Sequence, residues 1–421
     1  MTANYNTEKK LNYLLVYSLL YLTLIIGFVF NENSTGGAII DYSNQKKISL
    51  AFSKDFLSTF LNFENFQTRH SPIFIIFLSI FEKLNLNDLI IRLIHLHICL
   101  SLPIIFLLCI KEKFKINDIS YSLFLLVGLV FLSPTYRSLS IWPDSRLLGL
   151  IFFCFSVYFY LKFENVRHFK YCVLNILFYT ISSYISLNFA IFSIFFFYQY
   201  YKFYSLKSKK TVIIFLLNIV LSLPAFYYIF ILDVNFINQS AAIGIKENER
   251  ILFRNISNNF LLVSSIIFFY LIPFILLGIF KLSKKIKINS ILIILFLFVL
   301  SVFFFDYNYN YSGGGIFFKL SYYLFTNNIL FYLIAFASLI FIFSMIGHKY
   351  DNFLIIIILL LGNPQITVYH KYYDPMILIL CFTLFNINMD FNKINRLSLT
   401  MIYLYFSIFL VISNIKFLWK I

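Results

Sequence analysis

The chain is a succession of apolar runs separated by short polar breaks. Thirteen runs approach the length of about 20 residues that a bilayer crossing needs. They lie near 12–30, 88–110, 119–135, 145–162, 170–186, 188–203, 211–232, 259–280, 289–305, 327–347, 352–363, 375–389 and 398–416. In lipid only a helix or a closed barrel satisfies its own backbone, and runs this long predict helices. The expectation is an all-α integral membrane protein of about 13 transmembrane helices. Residues 1–421 then form a single polytopic domain. Its first outer loop, 31–87, is long and carries juxtamembrane helices, and no repeat or low-complexity segment is visible.

One run does not fit. Residues 71–84 are apolar but too short to span, a length that suits a helix lying on the membrane surface. Charge decides how to treat it. Lys9 and Lys10 precede the first run and orient it from inside to outside, and no small-residue cleavage site follows it. If 71–84 crossed, Lys111, Lys113 and Lys115 would face outward with the later basic loops. If it lies on the surface, the inner segments hold 19 Lys and Arg against 6 Asp and Glu. The outer segments then hold 15 against 12. The second reading obeys the positive-inside rule and is adopted.

Composition agrees with this and narrows the class. Hydrophobic residues make up 61% of the chain and charged residues only 12%, about half the usual share. So few charges cannot cover a soluble fold of this size, which excludes a soluble enzyme, a disordered protein and a disulfide scaffold. The net charge of +16 is mostly an orientation signal, not a nucleic-acid footprint. Cys99, Cys109, Cys154, Cys172 and Cys381 lie scattered in apolar runs and read as small core residues.

Chemistry is expected in the long outer segments. Asp41 follows the turn-permitting Gly36 and Gly37, about ten residues past the membrane exit. Partial desolvation there is expected to raise its pKa and suit a general base, against the plainer reading of a solvated acid. Arg69-His70-Ser71-Pro72 opens the short helix, a corner that suits a phosphate or a snorkelling anchor. The second outer loop runs from Ser133-Pro-Thr-Tyr-Arg137 to Asp144-Ser145-Arg146. Asp144 and Arg146 would sit at membrane depth, as an internal ion pair or a substrate contact. A lone Asp is a poor Mg²⁺ or Ca²⁺ site; no cofactor is implied, and a divalent metal stays open.

In the fourth outer loop Gly313, Gly314 and Gly315 precede Lys319 without the order of a nucleotide-binding loop. In the fifth, His370, Lys371, Tyr372, Tyr373 and Asp374 crowd together, a set suited to an anionic head group or an aromatic belt. His95 and His97 are two apart on a helix and face different ways. His168 and His348 fall in inner basic loops, and none of these four makes a metal site.

The order of these pieces resembles the GT-C superfamily of polytopic glycosyltransferases, which includes protein mannosyltransferases and aminoarabinose transferases. The likeness lies in a first span followed by an early loop acid, Asp41. Arg69-His70-Ser71-Pro72-Ile-Phe is similar to that family's His-Pro-Pro-Leu-type start of a juxtamembrane helix. Asp88-Leu-Ile-Ile-Arg92-Leu and Ser133-Pro-Thr-Tyr-Arg137 through Asp144 resemble its next landmarks. Tyr42 stands where the family carries a second acid, and Ser71 intervenes between His70 and the proline.

The resemblance implies transfer of a sugar, with inversion, from a polyprenyl-phosphate donor to a glycan, lipid or protein acceptor of the cell envelope. It places the protein in the inner membrane with its site on the periplasmic side. Asp41 is then the catalytic base, and Arg69, His70, Arg137 and Lys371 are candidates to stabilise the departing phosphate. Asp144, Arg146, Lys319, His370 and Tyr373 complete the candidate substrate-binding set. The rival readings are an O-antigen-type polymerase acting on lipid-linked oligosaccharides and a polytopic lipid or sugar transporter. The latter predicts broken helices in inverted repeats, which the sequence does not display. Membrane lipids are the other expected partners, and no nucleic acid is expected.

Overall fold

A computed structural model describes residues 2–418 apart from 69, 119, 206, 233–251, 283–287, 312, 347–348 and 364–366. Among them every regular element is helical, with one isolated bridge between Phe280 and Met389. The chain opens with α1 (Thr2–Val29), followed by α2 (Ala38–Lys54), α3 (Phe56–Leu61) and α4 (Pro72–Lys83). Next come α5 (Asp88–Cys99) and α6 (Ser101–Phe114), which together make one apolar rod of 27 residues. They lead into α7 (Tyr121–Gly128), α8 (Pro134–Ile141), α9 (Ser145–Val166) and α10 (Phe169–Ile185). The rest is α11 (Phe192–Tyr204), α12 (Lys209–Phe226), α13 (Leu252–Leu276), α14 (Ile288–Phe303), α15 (Gly315–Phe325), α16 (Ile329–Ile346), α17 (Tyr350–Leu361), α18 (Met376–Phe382) and α19 (Arg396–Leu418).

Five described helices are long and apolar enough to cross a membrane, and six if one bent pair is counted as a span. That is fewer than the thirteen crossings expected. The other apolar runs form shorter helices, as at 13–29, 291–303, 329–345 and 350–361. The run at 375–389 yields only the seven residues of α18, all of them buried.

The juxtamembrane region folds because two short helices share apolar faces. Tyr42, Ile48, Ser49 and Phe52 line one side of α2, and Phe74, Ile75, Leu78 and Ser79 line one side of α4. Both sets follow the helical repeat, and the two helices pack against each other. Phe52, Phe63 and Ile75 meet Tyr228 at the end of α12 in a small aromatic core of their own. Ser71 caps α4 and Pro72 fills its first turn, where the missing N–H costs nothing.

The second outer loop differs from expectation. Residues 134–141 are not a loop but α8, every residue of which is buried. Ser133 caps it by accepting from Tyr136 N, Pro134 starts it, and the chain bends by 64° between 132 and 134. A second helix, α15, lies inside the segment read as the fourth outer loop.

Polar contacts between loops sort into two sets, one at each end of the bundle. One end joins Lys113 to Asn386, Asn165 to Glu112, Lys202 to Asp351 and Lys281 to Asp390. The other joins Ser34 to Ser138, Asn258 to Asp306, Ser133 to Asp374 and Lys371 to Asp41. The charge pattern reads the first set as inner segments and the second as outer ones. His348 and Arg69 lie outside the described residues.

Candidate functional site

Asp41 sits one turn into α2. Gly36 takes φ +75° to make the turn that precedes the helix, a conformation that L side chains disfavour. Asn33 Oδ1 then accepts from Ala38 N at 3.1 Å and secures the helix start. The next residue, Tyr42, points inward and donates to Asp88 Oδ1 at 2.5 Å, beside the Lys46 ammonium. That anchor ties α2 to the start of α5 and sets the direction in which Asp41 faces.

Asp41 meets two cations from distant parts of the chain. Its Oδ2 accepts from Arg146 Nη2 at 2.5 Å and from Lys371 Nζ at 2.9 Å. Arg146 is also gripped by Asp144, through Nε to Oδ1 at 2.9 Å and Nη2 to Oδ2 at 2.6 Å. Asp144 is wholly buried and caps α9 by accepting from Arg146 N at 2.7 Å. His70 Nδ1 shares a hydrogen bond with Ser145 Oγ at 3.2 Å, and Tyr372 lies with its ring 5.7 Å from the Arg146 guanidinium carbon. The side chains of Arg146 and Lys371 are each only 12% exposed, so these charges interact with little screening from water.

The electrostatics reverse one expectation. Burial does push the Asp41 carboxyl up, but Arg146 and Lys371 outweigh it and hold the group below its ordinary value. Asp41 is therefore a stabilised carboxylate, not a group poised near neutrality. Asp144 follows the same balance more strongly: burial raises it, and Arg146, with His70 and Lys371 behind, brings it well below the usual carboxylate range. Burial and the neighbouring Arg146 charge push the Lys371 ammonium below the ordinary lysine value, against the pull of Asp41 and Asp144.

Both cations line a cavity. Most of its lining is apolar, including Leu147 and Leu150 of α9, Phe189 and Phe192, and Ile358 and Leu359 of α17. Its polar lining includes Arg146, Lys371, Asn188 and Asp374. A lining that is mostly apolar with a few convergent polar groups has the character of a small-molecule or lipid site.

The candidates from sequence divide into those brought together and those held elsewhere. Asp41, His70, Asp144, Arg146 and Lys371 converge. Tyr373 lines the cavity, though its hydroxyl is turned to Leu359 O at 3.4 Å. Arg137 is a fastener: it pairs with Glu32 through Nε and Nη2 at 2.9 and 2.6 Å and donates to Thr23 O at 2.8 Å, clamping α8 to α1. Lys319 donates to the carbonyls of Tyr309 and Tyr311 and closes its own loop. His370 Nε2 accepts from Ile316 N at 3.1 Å and supports the glycine turn, while Gly314 N donates to Val368 O.

Asp374 belongs to the site but was not among the candidates. Its Oδ2 accepts from Ser133 Oγ at 2.6 Å and Thr135 N at 3.1 Å, and burial raises its carboxyl against those bonds. Its signal in the sequence is its place in the crowded fifth-loop set with His370 and Lys371. Among the described residues no three His, Cys, Asp or Glu side chains gather as a metal site would require. No protein-family model matches the chain, and no curated protein or solved structure matches it.

Proposed function

We propose that this protein is an inverting glycosyltransferase that takes a sugar from a polyprenyl-phosphate donor. In this reading the chain crosses the inner membrane thirteen times, and the Asp41 end of the bundle faces the periplasm. The acceptor is a hydroxyl of a cell-envelope glycan, lipid or protein. The observation that carries the proposal is the meeting of Asp41 with Arg146 and Lys371, two cations that line a mostly apolar cavity. One base, two cations and an apolar slot are the parts that transfer from a lipid phosphate requires.

The chemistry follows from those parts. Asp41 accepts the proton of the acceptor hydroxyl as its oxygen attacks the anomeric carbon. The bond from that carbon to the phosphate oxygen breaks on the opposite face, and its electron pair leaves with the lipid phosphate. Arg146 and Lys371 stabilise the charge that develops there, a role in which one donor is worth about 10²–10³ in rate. General-base assistance adds about 10²–10⁴. Asp144 orients Arg146, and His70 adjoins it through Ser145. The isoprenoid chain occupies the slot between Leu150, Phe189 and Leu359.

Mass spectrometry of envelope glycans from a strain lacking the protein tests this. The expected result is a glycan or lipid shortened by one sugar and restored by the wild-type chain. An unchanged profile would overturn the proposal. Loss of polymer length with the repeat unit intact would favour the polymerase reading instead.

A further inference from the structure

The arrangement of Asp41 raises a question that the proposed reaction leaves open. A base that must collect a proton is here neutralised by two cations at once. Both contacts converge on the same atom, Oδ2, with Arg146 Nη2 at 2.5 Å and Lys371 Nζ at 2.9 Å. A single anionic oxygen bridging a guanidinium and an ammonium is also the geometry that one phosphate oxygen would take between them. We propose that the Asp41 carboxylate occupies the donor's phosphate position, as an internal stand-in that the incoming lipid phosphate must displace. This rests on the reading of Arg146 and Lys371 as the phosphate-binding pair.

Charge balance supports the displacement. Around Asp41 stand Asp144 and Arg146 on α9, Lys371 and Tyr372 on the fifth loop, and His70 before α4. The two cations and two carboxylates cancel, with Arg146 held in addition by both oxygens of Asp144. Two carboxylates and a phosphate cannot all share two cations in a site this buried. Asp144 is the less replaceable partner, because it is fully buried and also caps α9. Asp41 is the one that yields: its side chain is 26% exposed, and it holds the cations through one oxygen only.

The consequence is an ordered, self-arming site. Without donor, Asp41 is clamped and a poor base, so an acceptor hydroxyl alone gains nothing. With donor, phosphate takes the cations, and Asp41 is released beside a new negative charge that strengthens it as a base. Base and leaving-group site are thereby completed by the same binding event, which restrains wasteful attack by water before the donor is seated.

Competition is measurable without any transfer. Binding of farnesyl phosphate, an isoprenyl monophosphate, is followed by calorimetry with the full chain in nanodiscs. Asp41→Asn keeps the shape and removes the competing charge, and it is expected to bind at least tenfold more tightly than wild type. Lys371→Met is expected to bind about tenfold more weakly. Asp55→Asn removes an acid that caps α3 and meets neither cation, with an asparagine that can still cap, and it is expected to stay within twofold. That control separates local displacement from a general loss of negative charge. Unchanged or weaker binding in Asp41→Asn overturns the proposal, as does failure of both wild type and Asp41→Asn to bind. Tightening alongside an unchanged envelope glycan profile would keep the competition and remove the glycosyltransferase reading.

Discussion

The two ends of the bundle use the same residue types to different effect. At the inner-assigned end, Lys202 pairs with Asp351 and Lys281 with Asp390, and both lysine side chains are more than half exposed. At the other end, Arg146 and Lys371 meet Asp41 with little water access and a cavity beside them. Exposed pairs of the first kind contribute about 0–1 kcal/mol at most. Buried charges of the second kind are costly to leave unpartnered, so their persistence calls for a use beyond stability. Charge alone does not mark a site; charge that is buried, convergent and next to space does.

That contrast can be broken by substitution. The largest effect is expected from Arg146→Ala, which leaves the fully buried Asp144 without its bidentate partner. Removing one member of a buried pair typically costs about 3–5 kcal/mol. A thermal unfolding shift no greater than that of an exposed pair would erase the distinction between the ends. Next comes Lys371→Met, expected to lower transfer by about 10²–10³ as a lost charge-stabilising donor. Retained activity in that variant would take Lys371 out of the site.

The pH profile sharpens the comparison further. Asp41 is held below its ordinary carboxylate value, so its pairing persists at neutral pH and is lost as pH falls through the folded-state pKa. The acid limb of stability at this end is therefore expected below about pH 4. Lys371 is held below its ordinary lysine value, so its positive charge is lost earlier than usual as pH rises. The alkaline limb of activity should then fall below about pH 10.4, and in Lys371→Arg it should move upward. An unmoved limb would assign that titration to another group. The smallest effect is expected at the opposite end, where Lys202→Ala should shift the unfolding midpoint by no more than about 1–2 °C.

Much of this was legible in the sequence, and the gaps have physical causes. The apolar runs locate the helices, because a 3.6-residue repeat in a long apolar stretch has few alternatives. They do not give helix length: the run at 375–389 breaks after Phe382, and Thr383 turns its hydroxyl back to Ile379 O. Segment 134–141 reads as a loop because Ser, Thr and Arg dilute its apolar pattern. The structure buries it because Ser138 bonds Ser34 and Arg137 bonds Glu32.

The site shows the same limit. Asp41, Asp144, Arg146 and Lys371 stand out as polar residues kept beside apolar runs. Nothing local reveals that Asp41 meets partners 105 and 330 residues away at one oxygen. Arg137 looked equivalent to Arg146, and only the placement of Glu32 separates a clamp from a site residue. The raised pKa expected for Asp41 failed for the same reason. Burial could be anticipated from position, whereas the two cations that outweigh it arrive through tertiary contact.

The most direct test of the account is complementation of a deletion strain with Asp41→Asn, read by mass spectrometry of envelope glycans. The account predicts that the variant inserts at wild-type levels and leaves the terminal sugar missing, while the wild-type chain restores it. Restoration of that sugar by Asp41→Asn would contradict it.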